Sequence, residues 1–254
     1  MQRVHRYVVA TATALACFGT AAYAVVPTQT LYEPTPYRSF AHSPFSALTA
    51  SSYFHLEKFE IRDLRTPGYS SPTSGFIASA DLLTDSVDAD DGSIDGLGRA
   101  GQSWYSADMT NTITFVFSAS VLGTLPTHAG IVWTDVGVVN SGTTGITDVT
   151  FIAYRADDTV IGQVTGLDLG DGSASGGTTE DRFFGAYSAD GIARIEISVS
   201  NSDDWEVDHL QYGTLNPVPE PEQWLLMALG LVGVAAAARR RQKCVPGTDF
   251  CDRR

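Results

Sequence analysis

The fold of this chain is decided by two stretches that alternate polar and apolar residues, Thr112-Ile113-Thr114-Phe115-Val116-Phe117 and Ala193-Arg194-Ile195-Glu196-Ile197-Ser198-Val199. Successive side chains of a β-strand point to opposite faces, so Ile195, Ile197 and Val199 share one face. A strand with this pattern is buried on one side and solvated on the other. Both stretches therefore predict half-buried strands.

Short segments rich in β-branched and aromatic residues recur through the middle of the chain. Turn residues separate them and helix-like periodicity is scarce, which favours an antiparallel sheet over alternating strands and helices. We predict an all-β fold, an antiparallel β-sandwich of jelly-roll type, over residues 51–215. Residues 25–50 are rich in Pro and Ser and are expected to form an extended arm or a first edge strand. The predicted strands are Tyr53–Ile61, Asn111–Ser118, Ala129–Val138, Val149–Tyr154, Val160–Val164, Arg182–Tyr187, Ile192–Val199 and Trp205–Tyr212.

The acidic balance of the chain excludes two classes of partner. The 254 residues carry a formal net charge of −13, and residues 25–217 hold 25 acidic against 8 basic residues. Such a surface repels nucleic acid and anionic lipid, and it suits solubility and cation binding. We therefore expect no nucleic-acid partner.

The N-terminus has the three parts of a secretory signal peptide. Arg3 and Arg6 form a short basic region, residues 7–19 are apolar or small, and Ala22-Tyr23-Ala24 fits an A-x-A cleavage site. This pattern predicts that residues 1–24 are removed during export by the Sec machinery.

The C-terminal segment, residues 216–243, combines an acidic Pro-stiffened motif, an apolar run and a basic stop. They are Val218-Pro219-Glu220-Pro221, the fifteen residues Trp224–Ala238, and Arg239-Arg240-Arg241. A helix of that length reaches roughly 22 Å, whereas a bilayer core is about 30 Å thick. We expect an apolar helix that lies only transiently in the cytoplasmic membrane, with its arginines on the cytoplasmic side. An ordinary single-span tail anchor is the alternative.

These C-terminal residues resemble the PEP-CTERM sorting signal of Gram-negative bacteria. Val218, Pro219, Glu220 and Pro221 match its short motif, and Arg239-Arg240-Arg241 matches its basic end. The resemblance implies an exosortase as a partner and a location in the cell envelope or extracellular matrix. Residues 244–254 form a tail beyond the signal.

Four further stretches are similar to a set that occurs together in exported PEP-CTERM proteins. They are Ser86–Gly96, Thr127–Asp135, Glu180–Gly185 and Glu206–Gly213. This second resemblance covers most of residues 80–215. It implies a β-sandwich passenger domain and no particular reaction.

The cysteines lie only in segments that export and processing would remove. Cys17 is in the predicted signal peptide, and Cys244 and Cys251 are in the tail. The mature domain would then hold neither a thiol nor a disulfide, although it works in an oxidising compartment. Its stability must come from a packed core, with a bound metal as a further contribution.

The densest acidic stretch, Asp85–Asp95, is a candidate calcium site. Hard cations take six to eight oxygen ligands, often from carboxylates on a Gly-containing loop. Asp88, Asp90 and Asp95 are the preferred ligands. The spacing is not that of an EF-hand, because Arg99 stands where that loop requires Glu. A solvated acidic turn is the alternative.

A second candidate is the strand Glu206-Val207-Asp208-His209-Leu210-Gln211. Its two carboxylates on one face are similar to the signature of concanavalin-like glycoside hydrolases, in which a later Glu is the acid/base residue. Here that later position is Gln211, whose amide cannot transfer the proton that retaining hydrolysis needs. The alternative is structural, with Asp208 and His209 bound to strand-end backbone or to Arg182.

Aromatic residues next to the acidic stretch are candidate sugar ligands. Trp104 and Tyr105 are predicted to lie in a loop, and loops on a sandwich carry function. The sequence has neither a G-x-S-x-G nor an H-E-x-x-H motif, so a serine hydrolase and a zinc protease are not indicated.

Two hypotheses follow. In the first, the chain is a non-enzymatic exported protein of the cell surface or matrix, sorted by exosortase, that binds exopolysaccharide and calcium. In the second, it is a degenerate or unusual concanavalin-like glycoside hydrolase. Loss of glycan turnover in Glu206→Gln would favour the second.

Overall fold

The computed structural model describes residues 28–61, 64–73, 75–79, 85–89, 101–106, 110–136, 146–170, 179–202, 204–217, 227 and 229–236. Within the sandwich, a short α-helix, α1, spans Ala119–Leu122, and 3-10 helices span Phe40–His42, Pro44–Ala47 and Val87–Ala89. The strands are β1 (Gln29–Pro36), β2 (Leu48–Glu57), β3 (Tyr69–Ser70), β4 (Gly75–Ser79), β5 (Gln102–Ser106), β6 (Thr112–Phe117), β7 (His128–Val136), β8 (Thr147–Tyr154), β9 (Val160–Leu169), β10 (Arg182–Ser188), β11 (Arg194–Val199) and β12 (Trp205–Pro217).

The strands form two antiparallel sheets. Sheet A has the order β1-β10-β7-β12-β5-β4, with β2 also paired to the long strand β12. Sheet B has the order β3-β6-β11-β8-β9. The predicted all-β antiparallel sandwich is confirmed, and each of the eight predicted segments overlaps a strand.

The main core lies between the two sheets. In β11, Ile195, Ile197 and Val199 are buried and the residues between them are partly exposed. Trp133 of β7 and Trp205 of β12 contribute the largest buried side chains from sheet A. Alternation along each strand thus supplies one apolar face per sheet, as the sequence predicts.

Sheet A is also covered on its outer face, the face turned away from sheet B. A second apolar cluster lies there, formed by Val132 and Phe183 of the sheet with Tyr37, Phe45 and Val87 above them. Residues 37–48 and 85–89 therefore act as a cover, which we call the outer cover. As a result, all nine positions of β7 are buried.

Some predicted features differ from the structure or lie beyond the described residues. Trp104 and Tyr105 are in β5 and not in a loop; this strand is five residues long and its partners β4 and β12 are held by pairings that local sequence does not reveal. Residues 29–36 pair with β10 at the edge of sheet A. The predicted signal peptide, residues 1–24, and the tail, residues 244–254, lie outside the described residues.

The predicted C-terminal apolar helix is described only in part. Residues 229–236 are helical, and Leu229, Leu231, Val232 and Val234 are each more than half exposed. Among the residues that the structure describes, no helix is long and apolar enough to cross a bilayer.

Candidate functional site

A bulge in β12 decides which of its side chains reach the outer face of sheet A. Trp205 and Val207 belong to the inter-sheet core, so Glu206 and Asp208 point the other way. The pairing with β7 shifts between Asp208 and Gln211, and His209 has a φ of 44°. An extra residue of this kind reverses the alternation, so Gln211 shares the outer face with the two carboxylates.

Gln211 is held by the outer cover. Its amide nitrogen donates to the Tyr37 hydroxyl at 3.1 Å, and its amide oxygen accepts the Ser43 hydroxyl at 2.6 Å. The Tyr37 hydroxyl also lies 2.8 Å from His209 Nδ1. All four residues are buried. The position that a hydrolase would use for its acid/base residue is therefore a structural link between strand and cover.

The Asp88 carboxylate is bound by two basic side chains, Lys58 and His209. Lys58 Nζ lies 3.1 and 3.2 Å from its two carboxylate oxygens, and His209 Nε2 lies at 3.3 Å. The hydrogen bond with His209 is the main reason that the pKa of Asp88 falls to about 2. Asp90 and Asp95 lie outside the described residues, so calcium binding by Asp88, Asp90 and Asp95 stays a prediction.

Asp208 joins β12 to the cover. Its Oδ2 accepts the Ser86 hydroxyl at 2.9 Å and the Val87 amide at 3.0 Å, and its Oδ1 accepts the His209 amide at 2.6 Å. Backbone amides thus bind Asp208, but they belong to the 3-10 helix Val87–Ala89 and to the interior of β12, not to a strand end as predicted. Arg182 donates instead to the carbonyl oxygens of Thr179 and Asp181.

Four acidic side chains converge on this face. Asp135 comes from β7, Asp181 precedes β10, Asp208 is in β12 and Asp85 enters from the cover, and none is more than 1% exposed. Burial raises the pKa of Asp85 to about 8 and that of Asp208 to about 6. Burial, with the nearby Asp85 charge, raises the pKa of Asp181 well above its usual range. Asp85 and Asp181 also share a side-chain hydrogen bond, so the raised pKa values favour a protonated, neutral carboxyl group within this buried pair.

Asp135 and Asp181 were not among the predicted site residues, although both stand in stretches similar to those of exported PEP-CTERM proteins. The available signal was a charged residue at the end of a strongly apolar strand, where a carboxylate is costly without a partner. In the described residues, no group of three or more His, Cys, Asp or Glu side chains is already arranged to hold a metal ion.

The predicted sugar ligands occupy different environments. Trp104 faces the core, where it packs on Phe59 and Phe115 and is 6% exposed. Tyr105 points to the outer face, and its ring centroid lies 5.1 Å from that of Phe76, which is 52% exposed. The Tyr105 hydroxyl donates to Asp204 Oδ1 at 2.6 Å, which fixes its ring. Phe76 and Tyr105, here called the aromatic pair, form the exposed part of this region.

The aromatic pair continues into the acidic face. Phe76 lies opposite Tyr105, Tyr105 lies opposite Glu206, and Glu206 lies opposite Asp135 on the next strand. The four side chains therefore form one row across sheet A, apolar and exposed at the β4 edge and acidic and buried towards β7.

The C-terminal segment carries the one feature that bears on where the protein works. The chain carries a PEP-CTERM protein-sorting motif, and the match spans residues 217–241. This match includes Val218, Pro219, Glu220, Pro221 and Arg239-Arg240-Arg241, all outside the described residues. The motif implies export and processing by an exosortase at the membrane, as is typical of Gram-negative bacteria. The match begins at Pro217, the last residue of β12.

Other comparisons add little. No curated protein matches this chain. The enzymatically active domain of tailspike protein 4 from bacteriophage CBA120 is similar at 10% identity and a TM-score of 0.30, over 63% of this chain and 21% of that chain. This chain thus spans about a fifth of that protein's length. A likeness of that size carries no argument about activity.

Proposed function

We propose that the β-sandwich is a non-enzymatic, polysaccharide-binding domain that works outside the cytoplasm after exosortase processing. The observation that carries the binding role is the aromatic pair at the β4 edge. Phe76 is 52% exposed, and its ring is tilted by 44° to the ring of Tyr105, whose hydroxyl is bound to Asp204. Pyranose rings present apolar C–H faces, and exposed aromatic rings held in place are suited to pack against them.

Charge narrows the class of polysaccharide. Residues 25–217 carry a large excess of acidic groups, and the aromatic pair adjoins Glu206 in its row. An anionic polymer would be repelled from such a surface. The proposed ligand is therefore a neutral polysaccharide of the cell envelope or matrix. Trp104 supports the pair from the core side of β5 and does not contact the sugar in this proposal.

The hydrolase alternative has one feature in its favour. The bulge in β12 places Glu206, Asp208 and Gln211, the three positions compared with the hydrolase signature, on the same face. Against it, both ends of the Gln211 amide are bound to the cover, and Glu206 is 1% exposed. A substrate would have to displace the outer cover before it reached these residues. We therefore propose that the protein is not an enzyme.

Binding is tested by affinity electrophoresis of the full-length protein in gels that contain soluble neutral glucans or galactans. Phe76→Ala should weaken retention at least tenfold, because it removes the exposed stacking ring. Leu167→Ala is the matched control, since Leu167 is 67% exposed but lies on β9 of sheet B. Equal retention of wild type and Phe76→Ala on every polymer that the wild type binds would contradict the proposal, and so would no retention at all.

The enzymatic alternative needs a separate assay. The wild type should release no reducing ends from the polymers that retain it. Turnover that disappears in Glu206→Gln, with the fold intact by circular dichroism, would establish the hydrolase instead.

A further inference from the structure

A hydrogen bond between two carboxyl groups, those of Asp85 and Asp181, crosses the boundary between the outer cover and sheet A. Asp85 belongs to the cover, Asp181 directly precedes β10, and neither is more than 1% exposed. An ionised carboxylate only accepts hydrogen bonds, so at least one member of the pair must carry a proton. Burial raises the pKa of both groups, and the bond raises that of Asp181 further while it acts to lower that of Asp85. Asp181 is therefore the donor.

Among the described residues, this proton has no substitute. The Ser86 amide donates to one oxygen of Asp85 at 2.8 Å, but no N–H or O–H group of another residue reaches Asp85 Oδ2 or either oxygen of Asp181. Glu57 is different, since that buried carboxylate accepts one amide and two hydroxyls at 2.5 to 3.1 Å. Without its proton, the pair would be two desolvated negative charges side by side.

The acidic groups that face the pair come from three elements. Glu180 stands next to Asp181 in the chain, Asp208 is in β12 and Asp135 is in β7. Asp135 and Asp208 add negative charge at Asp85, and Glu180 and Asp208 add it at Asp181. Each of these charges makes ionisation of the pair less favourable.

The basic groups of the region are bound to other partners. Lys58 and His209 both lie within 3.3 Å of the Asp88 carboxylate. The Arg182 guanidinium donates to backbone carbonyl oxygens. Burial raises the pKa of Tyr37, so its hydroxyl keeps its proton. The proton of the pair is therefore what offsets its negative charge.

Both segments of the outer cover are attached at this point. The Tyr37 amide, from residues 37–48, donates to the Asp181 carbonyl oxygen at 3.0 Å. In residues 85–89, Ser86 and Val87 donate to Asp208, beside the carboxyl bond of Asp85 to Asp181. Repulsion within the pair would thus act where the cover is held.

We propose that the Asp85–Asp181 carboxyl pair is a pH-sensitive latch, which holds the outer cover on sheet A in acid and loosens it as the solution becomes alkaline. Below about pH 4, the folded and the unfolded chain both hold the proton, so the latch contributes fully. The unfolded chain releases it near pH 4, whereas burial raises the pKa of Asp85 in the folded protein to about 8 and that of Asp181 well above its usual range. The stability that the pair contributes is therefore lost progressively as pH rises from about 4 to at least 8.

Urea unfolding of the full-length protein in mild detergent, between pH 5 and pH 9, tests the latch. Asp181→Asn keeps an N–H donor for Asp85 but has no proton to lose. Between pH 5 and pH 8, the unfolding equilibrium constant of the wild type should rise about tenfold per pH unit relative to that of the variant. A purely structural effect of the substitution would give a constant offset instead. Asp157→Asn, a fully exposed acid of the β8–β9 hairpin, should run parallel to the wild type.

Opening of the cover is measured separately by hydrogen exchange with mass spectrometry, after correction for the pH dependence of intrinsic exchange. From pH 6 to pH 9, residues 37–48 and 85–89 should lose protection at least about tenfold in the wild type, whereas β11 in sheet B should keep its protection. In Asp181→Asn, the cover should stay protected at pH 9. If this variant does not fold, as judged by circular dichroism, Asp85→Asn takes its place with the same expectation.

Two results would overturn the proposal. One is an unfolding equilibrium constant that depends on pH equally in the wild type and in the Asn variant of the pair. The other is protection of the cover that does not change between pH 6 and pH 9, or that changes as much in the Asn variant as in the wild type. Neither result depends on polysaccharide binding.

Discussion

Sheet A and sheet B differ in what lies on their outer faces. In sheet B, β8 alternates between buried and partly exposed residues. Glu196 of the neighbouring strand β11 is on the outer face, where it is partly exposed and is paired with Arg194 and the Tyr154 hydroxyl. In sheet A, β7 is buried throughout, and the outer-face acids lie under a cover. The same alternation therefore places a carboxylate in water on one sheet and in a dry site on the other.

The difference shows where function is expected in this sandwich. A charge on the wet face of sheet B costs little and contributes little, because exposed ion pairs are worth at most about 1 kcal/mol. A carboxylate under the cover of sheet A costs several kcal/mol unless something neutralises it. A fold that keeps four such groups together is the place to look for a response to pH.

The largest expected contrast concerns the second apolar cluster. Phe183→Ala should destabilise the protein by about 3–5 kcal/mol, because Phe183 is fully buried against Tyr37 and Phe45 on the outer face of sheet A. Ile152→Ala, on the partly exposed outer face of sheet B, should cost only about 1 kcal/mol. Urea unfolding followed by tryptophan fluorescence measures both. Equal losses of unfolding free energy would mean that packing under the outer cover stabilises the fold no more than the exposed face of sheet B does.

A smaller effect is expected in the pH dependence of the unfolding free energy, through His128. The ring of this residue packs against Phe45 of the outer cover. Burial lowers the pKa of His128 to about 4, from an ordinary value near 6.5. The unfolded chain therefore takes up this proton first as pH falls, so stability should decrease between about pH 6.5 and pH 4. The loss from this one group should be about 2–3 kcal/mol.

Urea unfolding at several pH values measures this slope. His128→Gln should have a flatter dependence of unfolding free energy on pH over that window, and comparison with the wild type cancels the contribution of the acids. Parallel curves for the two proteins would show that His128 is not held neutral by the cover.

The smallest contrast concerns single hydroxyls. Ser86→Ala removes a hydroxyl that donates to Asp208 and accepts the Asp88 amide, so it should cost about 1–2 kcal/mol. Thr165→Val on sheet B removes a hydroxyl that, among the described residues, is paired with Thr150 alone at 3.0 Å, and it should cost about 0.5 kcal/mol or less. Thermal unfolding measures both. A cost for Thr165→Val as large as that for Ser86→Ala would weaken the distinction between the two faces.

Much of the fold was predictable because sheet formation leaves a local pattern. The alternation in residues 112–117 and 193–199 predicts β6 and β11, and turn residues separate the other long strands. The strands β3, β4 and β5 were missed, since each has two to five residues and gains its place from partners distant in sequence. Pairing of Trp104 with Val207 is an example that no local pattern reveals.

The candidate site was less predictable for a related reason. The acidic stretch Asp85–Asp95 predicted Asp88 as a calcium ligand. In the structure, the Asp88 carboxylate pairs with Lys58 and His209. Asp135 and Asp181 are separated by 46 positions in sequence, and only the pairing of β10 with β7 brings their strands together. The sorting signal was predictable, because such a signal is read as a linear motif and the match at residues 217–241 confirms it.

The central claim, that this β-sandwich is exported and then processed at its sorting motif, is tested most directly by intact mass spectrometry of the protein from fractionated cells. We predict a chain that begins near Val25, ends within or before residues 217–241, lacks Arg239-Arg240-Arg241, and is found in the envelope or medium. A full-length, untrimmed chain in the cytoplasmic fraction would contradict it.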